Sequence, residues 1–345
     1  MPPSEAPASA SGFSAAALAR RLVRYRTPSL GRGLFEIAVT AGPLLVLWVA
    51  AGLALRQHIW WGLLLVPVTA AFLMRLFMIQ HDCGHGAFLP GKRLNDWLGR
   101  ALGVLTLTPY DYWAKSHAIH HASSGALDRR TIGGIDTLTV VEYRALSRLR
   151  RLGYRLYRHP LVMFGLGPAF VFLLQNRFPV GLTRDGWRPW VSTMATNLVA
   201  LALVATLALS FGAAPFLLVY LPVVTLAASM GVWLFFVQHQ FEATYWARQD
   251  KWEFNEGALR SSSFYDLPAP LRWITANIGI HHVHHLSSRI PYYRLGQVMR
   301  DEPELKTIGR LTPRQSVSCI HLALWDERRQ RLISFRQMRL ESAAA

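Results

Sequence analysis

From Trp190 to Val237 the chain runs 48 residues without one Asp, Glu, Lys or Arg. As a single helix that stretch would measure about 72 Å at about 1.5 Å per residue, more than twice the roughly 30 Å hydrocarbon core of a bilayer. It must therefore double back, and Ser210-Phe211-Gly212-Ala213-Ala214-Pro215 supplies the Gly and Pro that punctuate a turn. A second apolar pair, residues 34–55 and 59–79, is broken at Arg56-Gln57-His58. Two hairpins of two spans each follow, at about 34–55, 59–79, 190–210 and 215–237, and the expected fold class is an all-α integral membrane protein with four transmembrane helices. Composition agrees, since only 17% of the residues are charged, where soluble domains carry about a quarter.

Two shorter apolar pieces, 98–109 and 161–174, fall below spanning length and contain Gly or Pro, so they are expected as half-buried interfacial helices. Charge supports this count of spans. Of 37 Lys and Arg, 5 lie in residues 1–33, 15 in 80–189 and 15 in 240–345, with only Arg56 in an outer turn and Arg75 within a span. The positive-inside rule then puts both termini and the middle loop in the cytoplasm. A lone crossing by 161–174 would reverse the later segments and destroy the asymmetry. The net charge of +17 invites a nucleic-acid reading, but the bases are spread along membrane-flanking segments, where anionic headgroups attract them. Arg144 to Arg158, six arginines on a Leu/Tyr background, suits an amphipathic interfacial helix. No nucleic-acid partner is expected.

Two cysteines, Cys83 and Cys319, exclude a disulfide scaffold, a four-Cys zinc site and a Cys-held iron–sulfur cluster. The first 18 residues are rich in Pro, Ala and Ser and lack the basic start and apolar core of a signal peptide. The expected organisation is a polar, disordered cytoplasmic N-terminus at 1–33, a membrane domain at 34–300 and a cytoplasmic C-terminal tail at 301–345. Arg outnumbers Lys 33 to 4, which is associated with GC-rich bacterial genomes and suggests a bacterial inner membrane.

Nine of the 13 histidines fall into three boxes and a singleton. His81 and His85 enclose Asp82-Cys83-Gly84; His117, His120 and His121 form H-x-x-H-H, as do His281, His284 and His285; His239 follows the last span. Positions i, i+3 and i+4 share one helix face, so neutral imidazoles can converge on a metal. All nine lie on the cytoplasmic side of a topology deduced without them. One zinc ion takes about four ligands, so nine nitrogens suit two metals, held in a cytoplasmic helical cap against the membrane. Imidazole serves Fe, Zn and Cu alike, so the metal stays open at this point. His282 lies about 100° round the helix from His281 and is left out, with His58, His159 and His321.

These boxes resemble those of the membrane fatty acid desaturases. The resemblance rests on His81-Asp82-Cys83-Gly84-His85, His117-Ala118-Ile119-His120-His121 and Asn277-Ile278-Gly279-Ile280-His281-His282-Val283-His284-His285. The stretches His121 to Thr139, Val237 to Trp246 and Ser288 to Leu295 add to it, so that it covers roughly residues 35–300. The first box, with three residues between its histidines, is similar to the acyl-lipid Δ12 (ω-6) and ω-3 group; the stearoyl-CoA type usually has four. The resemblance implies two iron ions, O2 as co-substrate and a cis double bond introduced into an acyl chain. It carries the metal ligands onto His81, His85, His117, His120, His121, His281, His284 and His285, and onto His239 at the end of the fourth span. Where the stearoyl-CoA type has a water-holding Asn one turn before that histidine, this chain has Phe235.

The chemistry is consistent, because breaking an unactivated C–H bond needs an oxidant stronger than any side chain. The protein would bind an acyl-lipid or acyl-thioester substrate, with Leu, Phe, Met and Trp along 98–113 and 230–237 as candidate walls. Asp82, Asp111 and Glu242 are conceivable acceptors for ligand N–H groups. Without a haem signature or a Gly-rich dinucleotide loop, the electrons must come from a separate donor, ferredoxin or cytochrome b5-like. The alternative is another histidine-box oxygenase, a carotenoid ketolase or hydroxylase or an acyl or alkane hydroxylase. A zinc transporter would put its ligands near the bilayer midplane, not at span ends.

Overall fold

The computed structural model describes residues 14–130 and 132–344. Helix α1 (Ala15–Arg21) leads through a 3-10 turn to α2 (Leu30–Arg56), where Ser29 Oγ accepts the Arg32 N–H at 3.3 Å as an N-cap. A 3-10 turn at Trp60–Leu65 starts the return leg, α3 (Val66–Gly84). The legs meet closely at Gly62, where a Cβ would lie 2.7 Å from that of Ala54. α4 (Lys92–Leu105) and α5 (Tyr110–Ala122) form a short hairpin on α3. Short helices α6 (Val140–Ala145), α7 (Arg148–Tyr157) and α8 (Gly167–Leu173) lead to the second long hairpin, α9 (Trp187–Phe211) and α10 (Ala213–His239). Its turn is a single residue, Gly212, at φ +89°, a conformation that costs glycine nothing.

Four helices among the described residues are long and apolar enough to cross a membrane: Leu30–Arg56, Trp60–Gly84, Trp187–Phe211 and Ala213–His239, each with mean hydropathy of at least 2.0. Their outer faces are bare: Leu198, Leu201 and Leu209 of α9 are 70, 67 and 88% exposed, an arrangement that suits lipid rather than water. Pro43 and Pro222 sit inside α2 and α10, as membrane helices tolerate. The piece 98–109 is half-buried: α4 hides Leu102 and Gly103 while Trp97 stands out. α7 and Val162–Arg177 are long and apolar enough to span only as a pair, and that pair is bent by 59°. The second member packs along α10 through Phe164 on Trp233 and Phe236.

The remaining elements, α11 (Phe254–Arg260), α12 (Ala269–Ile274), α13 (His281–Leu286), α14 (Tyr292–Asp301), α15 (Pro313–Cys319) and α16 (Phe335–Ala344), build a cap at the end of the spans where α3 and α10 finish. A small amount of sheet accompanies the helices. β1 (Leu138–Thr139) pairs in parallel with β4 (Leu322–Asp326), which pairs antiparallel with β5 (Arg331–Ser334). β2 (Phe264–Tyr265) pairs with β3 (Arg310–Leu311).

One expectation is corrected. Residues 1–13 lie outside the described residues, but the rest of the segment expected to be disordered is folded: Leu18 and Leu22 have no exposed surface. Arg24 and Tyr25 bond Glu302 and Asp301, both at 2.9 Å. The partners lie nearly 280 residues away, so local composition gave no sign of them. Within the C-terminal segment 301–345, Trp325, at 1% exposure, is among the best-buried side chains of the described residues.

Candidate metal centre

Four helices bring the nine histidines together. His81 lies in the last turn of α3 and His85 just past its end; His117, His120 and His121 share α5; His239 ends α10; His281, His284 and His285 occupy α13. Imidazole nitrogens of His81, His85, His117, His121 and His284 all lie within 4.8 Å of one another, and those of His120, His239 and His285 form a second group by the same measure. His281 belongs with the second, its Nε2 being 3.0 Å from that of His239 and 3.1 Å from that of His285.

The contacts run Nε2 to Nε2: His81 to His117 and His117 to His121 at 3.0 Å, His121 to His284 and His120 to His239 at 3.2 Å. One N–H cannot satisfy several lone pairs facing it at once. A cation can: nitrogens about 2.0–2.1 Å from a shared centre and 3.0–3.2 Å apart subtend about 91–106° there, between octahedral and tetrahedral angles. Burial, with the neighbouring imidazoles adding to it, pushes His117, His120, His121, His281, His284 and His285 well below the ordinary 6.5. They are therefore neutral, the form that ligates. The donor set fits two metal ions.

Two ligand candidates are oriented from behind. His239 Nδ1 faces the Ser261 carbonyl at 3.1 Å, which leaves the Nε2 lone pair turned to the group. His81 Nδ1 lies 3.3 Å from Asp82 Oδ1, while Asp82 Oδ2 accepts the Tyr292 N–H at 2.6 Å. Asp111 and Glu242 are engaged elsewhere, with Arg100 at 2.9 Å and Arg331 at 2.8 Å. His282 turns away and bonds the Leu305 carbonyl at 3.0 Å, and His58, His159 and His321 belong to neither group. Phe235 lies against the rings of His120 and His239, with centroids 5.2 and 4.9 Å away.

A cavity of about 490 Å³ opens beside the first group, with His81, His117 and His281 in its wall, a size in the range of ligand sites. Part of the wall comes from the two stretches named in the sequence, through Tyr112, Trp113, Gly231 and Leu234. More of the wall comes from a span and an interface piece, as Leu73, Met74 and Phe77 of α3 and Val171 and Phe172 of α8, residues that the sequence does not single out one by one. Polar edges come from Thr106, Thr108 and Asn176. Arg130, also in the wall, is tied to Glu142 at 2.5 Å.

Fold and site define a class, a helical membrane protein with a buried polyhistidine centre beside an apolar cavity. Residues 58–311 match the family model of the fatty acid desaturases, and the chain belongs to that family. It is 43% identical over 322 residues, 93% of this chain and 91% of the relative, to a fatty acid desaturase of Bacillus subtilis. An sn-1 acyl-lipid omega-3 desaturase (ferredoxin) of Synechocystis is 31% identical over 237 residues, covering 64% of this chain and 61% of that one. An endoplasmic-reticulum omega-3 fatty acid desaturase of Vigna radiata is 30% identical over 267 residues, 71% and 65%. The protein is thus an oxidoreductase of lipid metabolism, a membrane desaturase.

Proposed function

We propose that this desaturase introduces a cis double bond into a lipid-linked acyl chain, at a Δ12/ω-6-like position, using O2 and two iron ions held by the nine histidines. The observation that carries this reading is the pair of Nε2 clusters opening onto an apolar cavity of about 490 Å³. His81, His85, His117, His121 and His284 would hold one iron; His120, His239, His281 and His285 would hold the other. When bound, the metals supply the oxidising power that C–H cleavage requires.

The rest is the work of this chain. The α3, α8 and α10 side chains line an apolar slot in which the chain is held and from which water is excluded. The ester stays toward the polar edge, because burying it among apolar groups without a hydrogen bond is costly. His239 keeps its tautomer through Ser261. In balance, two adjacent C–H bonds break and a C=C bond forms, while O2, two electrons and two protons complete two water molecules. The electrons come from a ferredoxin or cytochrome b5-like donor, and the basic inner face suits an acidic partner. Charge asymmetry supports an inner-membrane topology with both termini and the metal centre cytoplasmic, with the bent α7–α8 pair dipping rather than crossing.

The test is a fatty-acid profile. The chain is expressed with a ferredoxin system in a bacterium whose lipids are saturated and monounsaturated, beside His121→Ala and His284→Ala. A new double bond, absent from both variants, is expected. Hydroxylated chains alone would assign the protein to the hydroxylases.

A further inference from the structure

Arg75 is the charged residue that the span pattern leaves unexplained, and an arginine inside a span calls for a partner and a purpose. Its side chain is 1% exposed and meets Glu36 of α2, 2% exposed, at 2.5 Å. Arg75 Nε donates to Thr40 Oγ1 at 3.0 Å, and Nη1 donates to the Trp273 carbonyl. The guanidinium also lies over the Trp273 ring, 4.2 Å from its centroid. Glu36 Oε2 in turn accepts the Tyr292 hydroxyl at 3.1 Å. Trp273 and Tyr292 stand on either side of the third histidine box in the chain.

The segment between them cannot hold its shape alone. Ala276 and Asn277 have φ of +51° and +55°, a left-handed pair that is strained in residues other than glycine and persists only where the surroundings over-determine it. Asn277 Nδ2 donates to the Tyr292 carbonyl at 3.3 Å, closing the segment into a loop. Tyr292 is held a second time from α3, since its N–H goes to Asp82, the neighbour of His81.

The geometry points to Glu36 and Arg75 as positioning residues: a buried ion pair between two spans clamps both ends of the loop that carries His281, His284 and His285, and so sets the third box against the first. This rests on the metal-centre reading given above. It explains why a costly buried pair is kept, as an apolar pair of similar volume would hold the two spans together equally well.

That equivalence supplies the test. In the full-length membrane protein, Glu36→Leu with Arg75→Met replaces the pair by apolar side chains, and Tyr292→Phe removes one hydroxyl while keeping the ring. Iron retention against a chelator, the melting temperature, and kcat and KM for an acyl lipid are measured on each. The double variant is expected to melt within a few degrees of the wild type yet to hold iron about tenfold less tightly, the size of effect typical of groups that orient metal ligands. Its kcat falls while KM is unchanged, and Tyr292→Phe moves in the same direction by less. Wild-type iron retention and kcat in a folded double variant would overturn the proposal. So would a double variant that fails to fold while Tyr292→Phe keeps wild-type iron retention, because the pair would then serve folding alone. Iron binding without any acyl product would sink the desaturase reading and leave this one standing.

Discussion

What separates a candidate metal ligand from its neighbour is visible within a single turn. His282 and His284 are both buried in α13, but His284 Nε2 faces His121 whereas His282 Nε2 bonds the Leu305 carbonyl. His284→Ala should abolish activity and lower bound iron. His282→Ala should keep iron and turnover while losing about 1–3 kcal/mol of stability, the cost of leaving a buried acceptor unpaired. Metal analysis beside thermal melts separates the two. Gly231 makes a second case. It lines the cavity on the same face of α10 as Val224 and Gln238, and a Cβ there would meet nothing within 4 Å. It stands eight residues before His239, about 12 Å along the axis, a reach of about ten chain carbons at about 1.25 Å each for C–C bonds of ordinary length and angle. Gly231→Phe should fold and bind iron normally but lose its longest acyl products first, read by chain-length analysis. A uniform loss at every length would contradict this.

At the scale of elements, the histidine helices were legible because i, i+3 and i+4 spacing is a local property. The pieces that hold them in place were not. The sequence places Arg75 within a span but gives no sign of its partners, Glu36 and Trp273, which come from distant parts of the chain. β1 lacks an obvious strand signal, since it consists of two residues paired with Leu324 and Trp325. α1 was hidden in a Pro/Ala/Ser-rich stretch although Leu18 and Leu22 pack against the cap, and Leu18→Asp should therefore cost about 3 kcal/mol or more by burying an unpaired charge. The loop over the cavity adds a pH dependence. Hydrogen bonds from the Arg130 guanidinium, opposed by burial, hold the Glu142 carboxyl down to about 2. Because the folded value lies below the ordinary 4.5, this pair stabilises the fold above that pH and loses its contribution as pH falls toward 2. The melting temperature should drop over that window in the wild type and by a smaller amount in Glu142→Gln, which keeps the other paired carboxylates, Asp128 and Glu304.

For the whole molecule, the charge-free stretch with its turn and the second apolar pair broken at Arg56-Gln57-His58 were enough to give the four long helices, because lipid leaves a chain few choices. Nothing so strict acts on the cap, whose shape depends on contacts between residues far apart in sequence. Topology can be checked with engineered cysteines, as both native thiols, Cys83 and Cys319, are buried. Cysteines replacing Gly212 or His58 should react with an impermeant reagent from outside intact cells, and one replacing Arg336 should not. The most direct measurement is the metal content of the purified full-length protein, with Mössbauer spectroscopy of 57Fe-grown material. Two irons per chain are expected, with His121→Ala depleting one and His239→Ala the other. A single metal per chain, or zinc in place of iron, would contradict the account.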